Sequence, residues 1–112
     1  MKHDLHDVCT QIRRDTVRSI YRAGSGHPGS SLSAVEIMAT LYFTDVFTCF
    51  PDRPHAPERD RFVLSKGHAA PAYYSILAHK GYFPLALLDT LRTVGSALQG
   101  QQKKKKLPCL DC

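Results

Sequence analysis

The sequence lacks any apolar stretch long enough to cross a membrane. Its longest mostly apolar stretch, 37–43, falls far short of the roughly 18 residues that a span needs. Residues 1–7 are polar where a signal peptide would have an apolar core, so secretion is disfavoured. Cysteine is also scarce: four residues are too few and too scattered for a disulfide framework, which favours a reducing compartment. We therefore expect a cytoplasmic protein with no membrane partner.

The sequence has little net charge outside its last residues. Residues 1–100 hold 11 basic and 9 acidic side chains, a net +2, whereas 101–112 hold four lysines and one aspartate, a net +3. The run Lys103–Lys106 has no aromatic residue nearby, which favours a solvated tail over a nucleic-acid site. With 43% hydrophobic residues in 112, we predict one small domain over 1–100 and a basic, disordered tail over 101–112.

Four helices are predicted from the spacing of apolar residues and from turn signals. They cover 5–22, 34–47, the segment from Pro71 to a stop at Gly81, and 84–94. Asp4 can cap the first helix, and Ser33 with Glu36 matches a capping box for the second. Apolar residues occupy most of the circumference of the second helix, which indicates burial on several sides. This short chain can hardly enclose such a helix by itself.

One strand is predicted, at 61–65, where a short apolar run lies between charge and glycine. A single strand cannot form a sheet, because its backbone N–H and C=O groups need neighbours. The chain is therefore expected to be a piece of a larger α/β unit, or to borrow strands from a partner. The predicted fold class is α/β, mostly helical, with one parallel-type strand.

Two histidines lie on loops that could carry chemistry. His27 sits in Gly26-His27-Pro28-Gly29, where small and stiff residues let a ligand approach a titratable ring. His68 follows Lys66-Gly67 between the predicted strand and the next helix. In α/β proteins that edge binds ligands, and free N–H groups there favour an anion such as a diphosphate. Each motif alone is also compatible with an ordinary turn.

The remaining histidines and cysteines give weaker signals. Cys109 and Cys112 have the spacing of metal ligands but lack a second close pair. The other histidines share no spacing that suggests a common site, so solvated or packed side chains are expected: His3, His6, His55 and His79. We predict no metal site.

Taken together, several segments resemble the start of transketolase. They are 12–15, 23–29, 60–69 and 80–83, within a match over about 5–100. The form Ser-Lys-Gly-His is most similar to the N-terminal subunit of split transketolases, which is more than twice this length. Both histidine loops agree with the transketolase pattern in their order and separation, so the pair is a much more specific signal than either motif alone.

The resemblance implies a partial thiamine-diphosphate-binding fold and a place in the pentose phosphate pathway. In that family a two-carbon ketol group passes between sugar phosphates, and enzyme halves meet around thiamine diphosphate with Mg²⁺. By position, His27 would be catalytic, in proton transfer or oxyanion stabilisation. His68 would contact the cofactor, and Gly67 would give that contact room.

The sequence departs from the family pattern in ways that predict an inactive fragment. Gln101-Gln102 stands where the family has His-Pro, and the sequence ends before the family's Gly-rich cofactor turn, its metal motif and its catalytic glutamate. The leading expectation is a truncated, thiamine-diphosphate-dependent transferase that needs a complementary transketolase chain or a homo-oligomer. The alternative is a non-catalytic module that docks on such a chain through 34–47 and 61–65.

Overall fold

The computed structural model describes residues 4–91, 93 and 95–99, and this part of the chain is helical. Four α-helices and two 3₁₀ turns follow one another. The α-helices are α1 (Leu5–Ala23), α2 (Pro28–Leu32), α3 (Val35–Phe43) and α4 (Ala70–Lys80). The 3₁₀ turns are Gly67–Ala69, directly before α4, and Leu85–Thr90. Helix α1 packs against α3 and α4, which also pack against each other.

Helix α1 begins and ends close to where the sequence predicts. The Asp4 carboxylate accepts a hydrogen bond from the backbone N–H of His6 at 2.9 Å, so the predicted N-cap is confirmed. At the other end, Gly24 has φ +72° and its N–H bonds back to the carbonyls of Ile20 and Tyr21. This is the left-handed cap for which glycine is favoured.

Helix α4 is the buried centre of the domain. Every residue from Ala70 to Ala78 is buried, and the helix begins next to Pro71 and ends at Gly81, as predicted. Its side chains join those of α1 and α3 in one apolar cluster, which includes Ile12, Met38 and Leu77. Burial on all sides is typical of a helix whose apolar residues are not confined to one face.

Helix α3 is shorter than predicted and the predicted capping box does not form. It spans Val35–Phe43 rather than 34–47, with Ala34 at the N-cap and no side-chain cap. The Ser33 hydroxyl donates instead to the carbonyl of Ser30, and Glu36 forms an ion pair with Arg13 of α1. The serine thus bonds to a nearby carbonyl and the glutamate to a residue of another helix, in place of the reciprocal pairing that the sequence suggests.

Within the described residues helix α3 is buried on one side only, which agrees with the expectation that this short chain can hardly enclose it. Val35, Met38, Ala39 and Tyr42 are buried, but Ile37 is 66% exposed.

Residues 85–90 form a 3₁₀ turn rather than the predicted helix 84–94. Leu88 and Leu91 are buried, as the spacing of the leucines in this segment predicts, while Leu85 is half exposed.

The predicted strand at 61–65 is absent: residues 60–66 have no regular secondary structure, and no strand occurs anywhere in the described ranges. The segment keeps the alternation of a strand, since Phe62 and Leu64 are half-buried while Val63 is 58% exposed. The physical reason is that the segment is isolated: without a neighbouring strand, no ladder of hydrogen bonds can form. Aromatic packing holds the segment instead, with the Phe62 ring 5.1 Å from the Tyr73 ring.

Candidate functional site

The loop that carries His27 is shaped by two glycines after α1. Gly24 ends the helix, and Gly26 has φ +144° with its α-carbon facing Ile20. A β-carbon at position 26 would lie 3.0 Å from Cγ2 of Ile20. His27 then occupies the N-cap of the five-residue helix α2, with its side chain exposed.

The segment that carries His68 is fixed from both ends. Phe62 packs on the aromatic cluster upstream, and downstream the 3₁₀ turn Gly67–Ala69 leads directly into α4. Ala69 is fully buried while His68 is exposed. The turn therefore holds its backbone against the core and presents the imidazole to solvent.

The structure brings the two histidines together. The rings of His27 and His68 are stacked, with centroids 4.1 Å apart and an interplanar angle of 25°. Each imidazole offers one N–H donor and one acceptor nitrogen when neutral, and two donors when protonated. The pair can therefore donate to an anionic group or exchange a proton with a bound molecule, and both rings are accessible for that purpose.

Gly67 lies at the start of the 3₁₀ turn and is half-buried. The glycines with positive φ in the described ranges are Gly24, Gly26, Gly81 and Gly95. A left-handed backbone conformation is therefore not the reason for a glycine at position 67. The role of giving a ligand room stays a prediction.

A second polar cluster, between α1 and the end of α4, was not predicted from the sequence. The Asp15 carboxylate of α1 pairs with Nε2 of His79 at the end of α4. The two line a cavity of about 350 Å³ together with Arg18, Arg22 and Asp89. His79 is thus a packed histidine, as expected. Its partner Asp15 is distant in sequence, and no spacing of residues near His79 indicates the pairing.

No group of three or more metal-ligating side chains occurs in the part of the chain that the structure describes. Cys9 and Cys49 are free thiols, and Cys9 is buried. The Cys109 and Cys112 pair, Gln101-Gln102 and the basic tail 101–112 lie outside the described residues. In the same ranges no helix is long and apolar enough to cross a bilayer.

Gly26→Ala is expected to lower the free energy of unfolding by about 1–3 kcal/mol, because an alanine with this φ is strained and its methyl group would press on Ile20. Chemical denaturation followed by circular dichroism measures the change. Gly29→Ala is the matched control: it lies in α2, and a β-carbon there meets nothing within 4 Å. Equal losses in the two variants would contradict this account of the loop.

Comparison with solved structures identifies the class of protein. Transketolase from Leishmania mexicana superposes with a TM-score of 0.90 at 28% sequence identity, covering 98% of this chain and 16% of that one. The family model described as "Transketolase, thiamine diphosphate binding domain" matches residues 5–112. The chain belongs to this family, and the resemblance noted in the sequence is confirmed.

Curated relatives include both split and single-chain transketolases. A 6-deoxy-6-sulfo-D-fructose transketolase subunit, SqwG, from Clostridium sp. strain MSTE9 is 50% identical over 95 residues, which are 85% of this chain and 34% of that subunit. Transketolase from Pongo abelii is 44% identical over 102 residues, 91% of this chain and 16% of that protein. This chain therefore spans about a third of a split subunit and about a sixth of a single-chain enzyme.

Proposed function

We propose that this chain supplies the paired histidines of a transketolase site, in which a two-carbon ketol group passes between sugar phosphates. The observation that carries the proposal is the stack of His27 on His68. Two loops that match a thiamine-diphosphate-binding family meet at one exposed point, although a long segment of chain separates them. A fold that used these loops only as turns would not require their rings to meet.

The donor set of this site fits the anionic part of thiamine diphosphate. Two exposed imidazoles and the Lys66 ammonium group lie on neighbouring loops, and such donors suit a diphosphate. No group of three or more His, Cys, Asp or Glu side chains that could hold Mg²⁺ occurs within the described ranges. A metal would therefore need ligands from elsewhere, and we propose that the complete enzyme supplies them.

Each residue has a proposed role. His68 would donate a hydrogen bond to the cofactor, and Gly67 beside it would leave room for that approach. His27 would lie toward the substrate and hold or transfer a proton, or stabilise a developing oxyanion. Thiamine diphosphate, when bound, supplies carbanion stabilisation. The protein's part is to orient the reacting groups and to polarise them.

The share of its relatives that this chain covers, 34% of the split subunit and 16% of the single-chain enzyme, supports the proposal that these residues are inactive alone. The relatives it matches extend well beyond the matched segment, so most of a transketolase site would come from further chain. We propose that the domain covers 1–100, that 101–112 is a tail, and that 61–65 becomes a parallel strand once neighbouring strands are supplied. Completion would come from a complementary transketolase chain or from a homo-oligomer.

The isolated chain is expected to show no turnover with ribose-type and xylulose-type phosphates, thiamine diphosphate and Mg²⁺. A complete transketolase in which residues 5–99 of this chain replace the matching segment is expected to turn over, because the missing groups are then present. A coupled spectrophotometric assay measures both. Robust turnover by the isolated chain would refute the proposed inactivity, and an inactive but folded chimera would count against the proposed role.

A non-catalytic docking role is the second candidate, and one surface favours it. Ile37 and Val63 are largely exposed, and they line an apolar groove of about 300 Å³ between α3 and the segment 62–66. Exposed apolar grooves of this kind mark interaction surfaces. Size-exclusion chromatography with a complementary transketolase chain, followed by the turnover assay on the eluted complex, separates the two candidates, because docking without catalysis would give a complex that lacks turnover. The cytoplasmic location and the pentose phosphate pathway stay predictions.

A further inference from the structure

Two serines near His27 bond to the segment that carries His68. Ser33 Oγ accepts a hydrogen bond from Lys66 Nζ at 2.6 Å, and Lys66 stands two residues before His68. Ser31 Oγ accepts from the backbone N–H of Ala72, in the first turn of α4, at 3.4 Å. The two bonds therefore join α2 and its end to the chain on both sides of His68.

The Ser33 hydroxyl both donates and accepts a hydrogen bond. It donates to the carbonyl of Ser30 at 3.1 Å while it accepts from Lys66. A hydroxyl that donates to one group and accepts from another has its orientation fixed. The exposed side of the junction is thus held by a group of defined direction, with a charged donor that strengthens the bond.

Ser31 secures the buried side. Its side chain has no exposed surface, so its hydroxyl would lose hydration without compensation if it had no partner. Ser75 shows that burial alone does not imply such a bond: it is equally buried, yet its Oγ has no hydrogen-bond partner among the described residues. The contact from Ser31 to the start of α4 is therefore a specific feature of the junction.

The two imidazoles need an external support of this kind. Both rings are exposed, so the core does not contact the side chains themselves, and an aromatic pair contributes only about 0.5–1.5 kcal/mol beyond its buried area. Helix α2 has only five residues, too few to be stable by itself. The position of His27 relative to His68 therefore depends on how α2 is held against the 66–72 segment as well as on the shape of the loop after α1.

We propose that Ser31 and Ser33 are positioning residues that set the distance and angle between the His27 and His68 rings. Neither serine acts on a reacting atom in this account; both act through the histidines. The consequence for catalysis depends on the proposed function, but the geometric claim does not. It concerns the free chain and can be tested without cofactor, substrate or partner.

The test is the nuclear Overhauser cross-peak between the ring protons of His27 and His68 in the free chain. We expect a strong cross-peak in the unsubstituted protein and a several-fold weaker one in Ser33→Ala and in Ser31→Ala. Ser33→Thr keeps the hydroxyl and should keep the cross-peak. Lys66→Met should match Ser33→Ala, and combining the two should add little, because both remove the same bond.

Ser75→Ala is the control for loss of a buried hydroxyl. It removes a group without a partner, so the cross-peak should not change, even if the melting temperature does. If Ser31→Ala does not fold, Ser33 and Lys66 on the exposed side decide the question. An unchanged cross-peak in folded Ser33→Ala and Lys66→Met, or its absence from the unsubstituted chain, would overturn the proposal. Failure of thiamine diphosphate to bind would instead count against the proposed function alone.

Discussion

His27→Ala, placed in a complete transketolase that carries residues 5–99 of this chain, is expected to lower kcat by about 10²–10⁴-fold, the usual contribution of a general acid–base group. The imidazole is exposed at the N-cap of α2 and stacked on His68. Its removal leaves the loop backbone in place, because the shape of that loop depends on Gly24 and Gly26. Steady-state kinetics with saturating cofactor measures the change.

The control for this prediction is His55→Ala. His55 is also exposed but lies in the loop before the 61–65 segment, so its loss should leave kcat within a factor of about two. A His27→Ala enzyme with undiminished kcat would remove His27 from the catalytic machinery.

His68→Ala is expected to raise the concentration of thiamine diphosphate needed for half-maximal activity, because the proposed role of His68 is to hold the cofactor.

Ile12→Ala is expected to lower the free energy of unfolding by about 2–5 kcal/mol, the range for a buried aliphatic side chain cut to alanine. Ile12 has no exposed surface and belongs to the cluster that joins α1 to α3 and α4. The total stability of a small domain is about 5–15 kcal/mol, so this one change removes a large share. Urea denaturation followed by far-ultraviolet circular dichroism provides the measurement.

Val17→Ala is the matched control for the core prediction. Val17 lies on the same helix but is 47% exposed, so the change should stay within about 0.5 kcal/mol. A similar loss in both variants would show that the core contacts of Ile12 do not determine the effect, because alanine has a higher helix propensity than the residue it replaces at both positions. A negligible loss for Ile12→Ala would mean that α1 is not held by the core as the structure describes.

The helices were predictable where local signals decide them. Asp4 caps α1 and Gly24 stops it, and Pro71 and Gly81 bracket α4. These residues act through backbone groups a few positions away, so the sequence alone contains the interaction. Helix α2 was missed because its five residues begin with Pro28 and Gly29 and give no apolar period to detect.

Predictions failed where a distant residue competes with a near one. Ser33 and Glu36 satisfy the capping-box pattern, yet Ser33 bonds to Ser30 and Lys66, and Glu36 pairs with Arg13. The strand at 61–65 failed for a related reason, because its hydrogen-bonding partners would have to come from other segments. The Asp15–His79 pair could not be foreseen, since nothing near either residue in the sequence indicates the other.

The sequence by itself determined which residues could carry chemistry: two histidines on glycine-bearing loops, with the family's order and spacing. Their identities and local turns are set by short-range backbone geometry, which a sequence encodes directly. Only the tertiary structure decided that the rings of His27 and His68 meet, and that Ser31 and Ser33 connect their loops. Those contacts depend on how α2 and the start of α4 pack against the same core, and packing is a property of the whole folded chain.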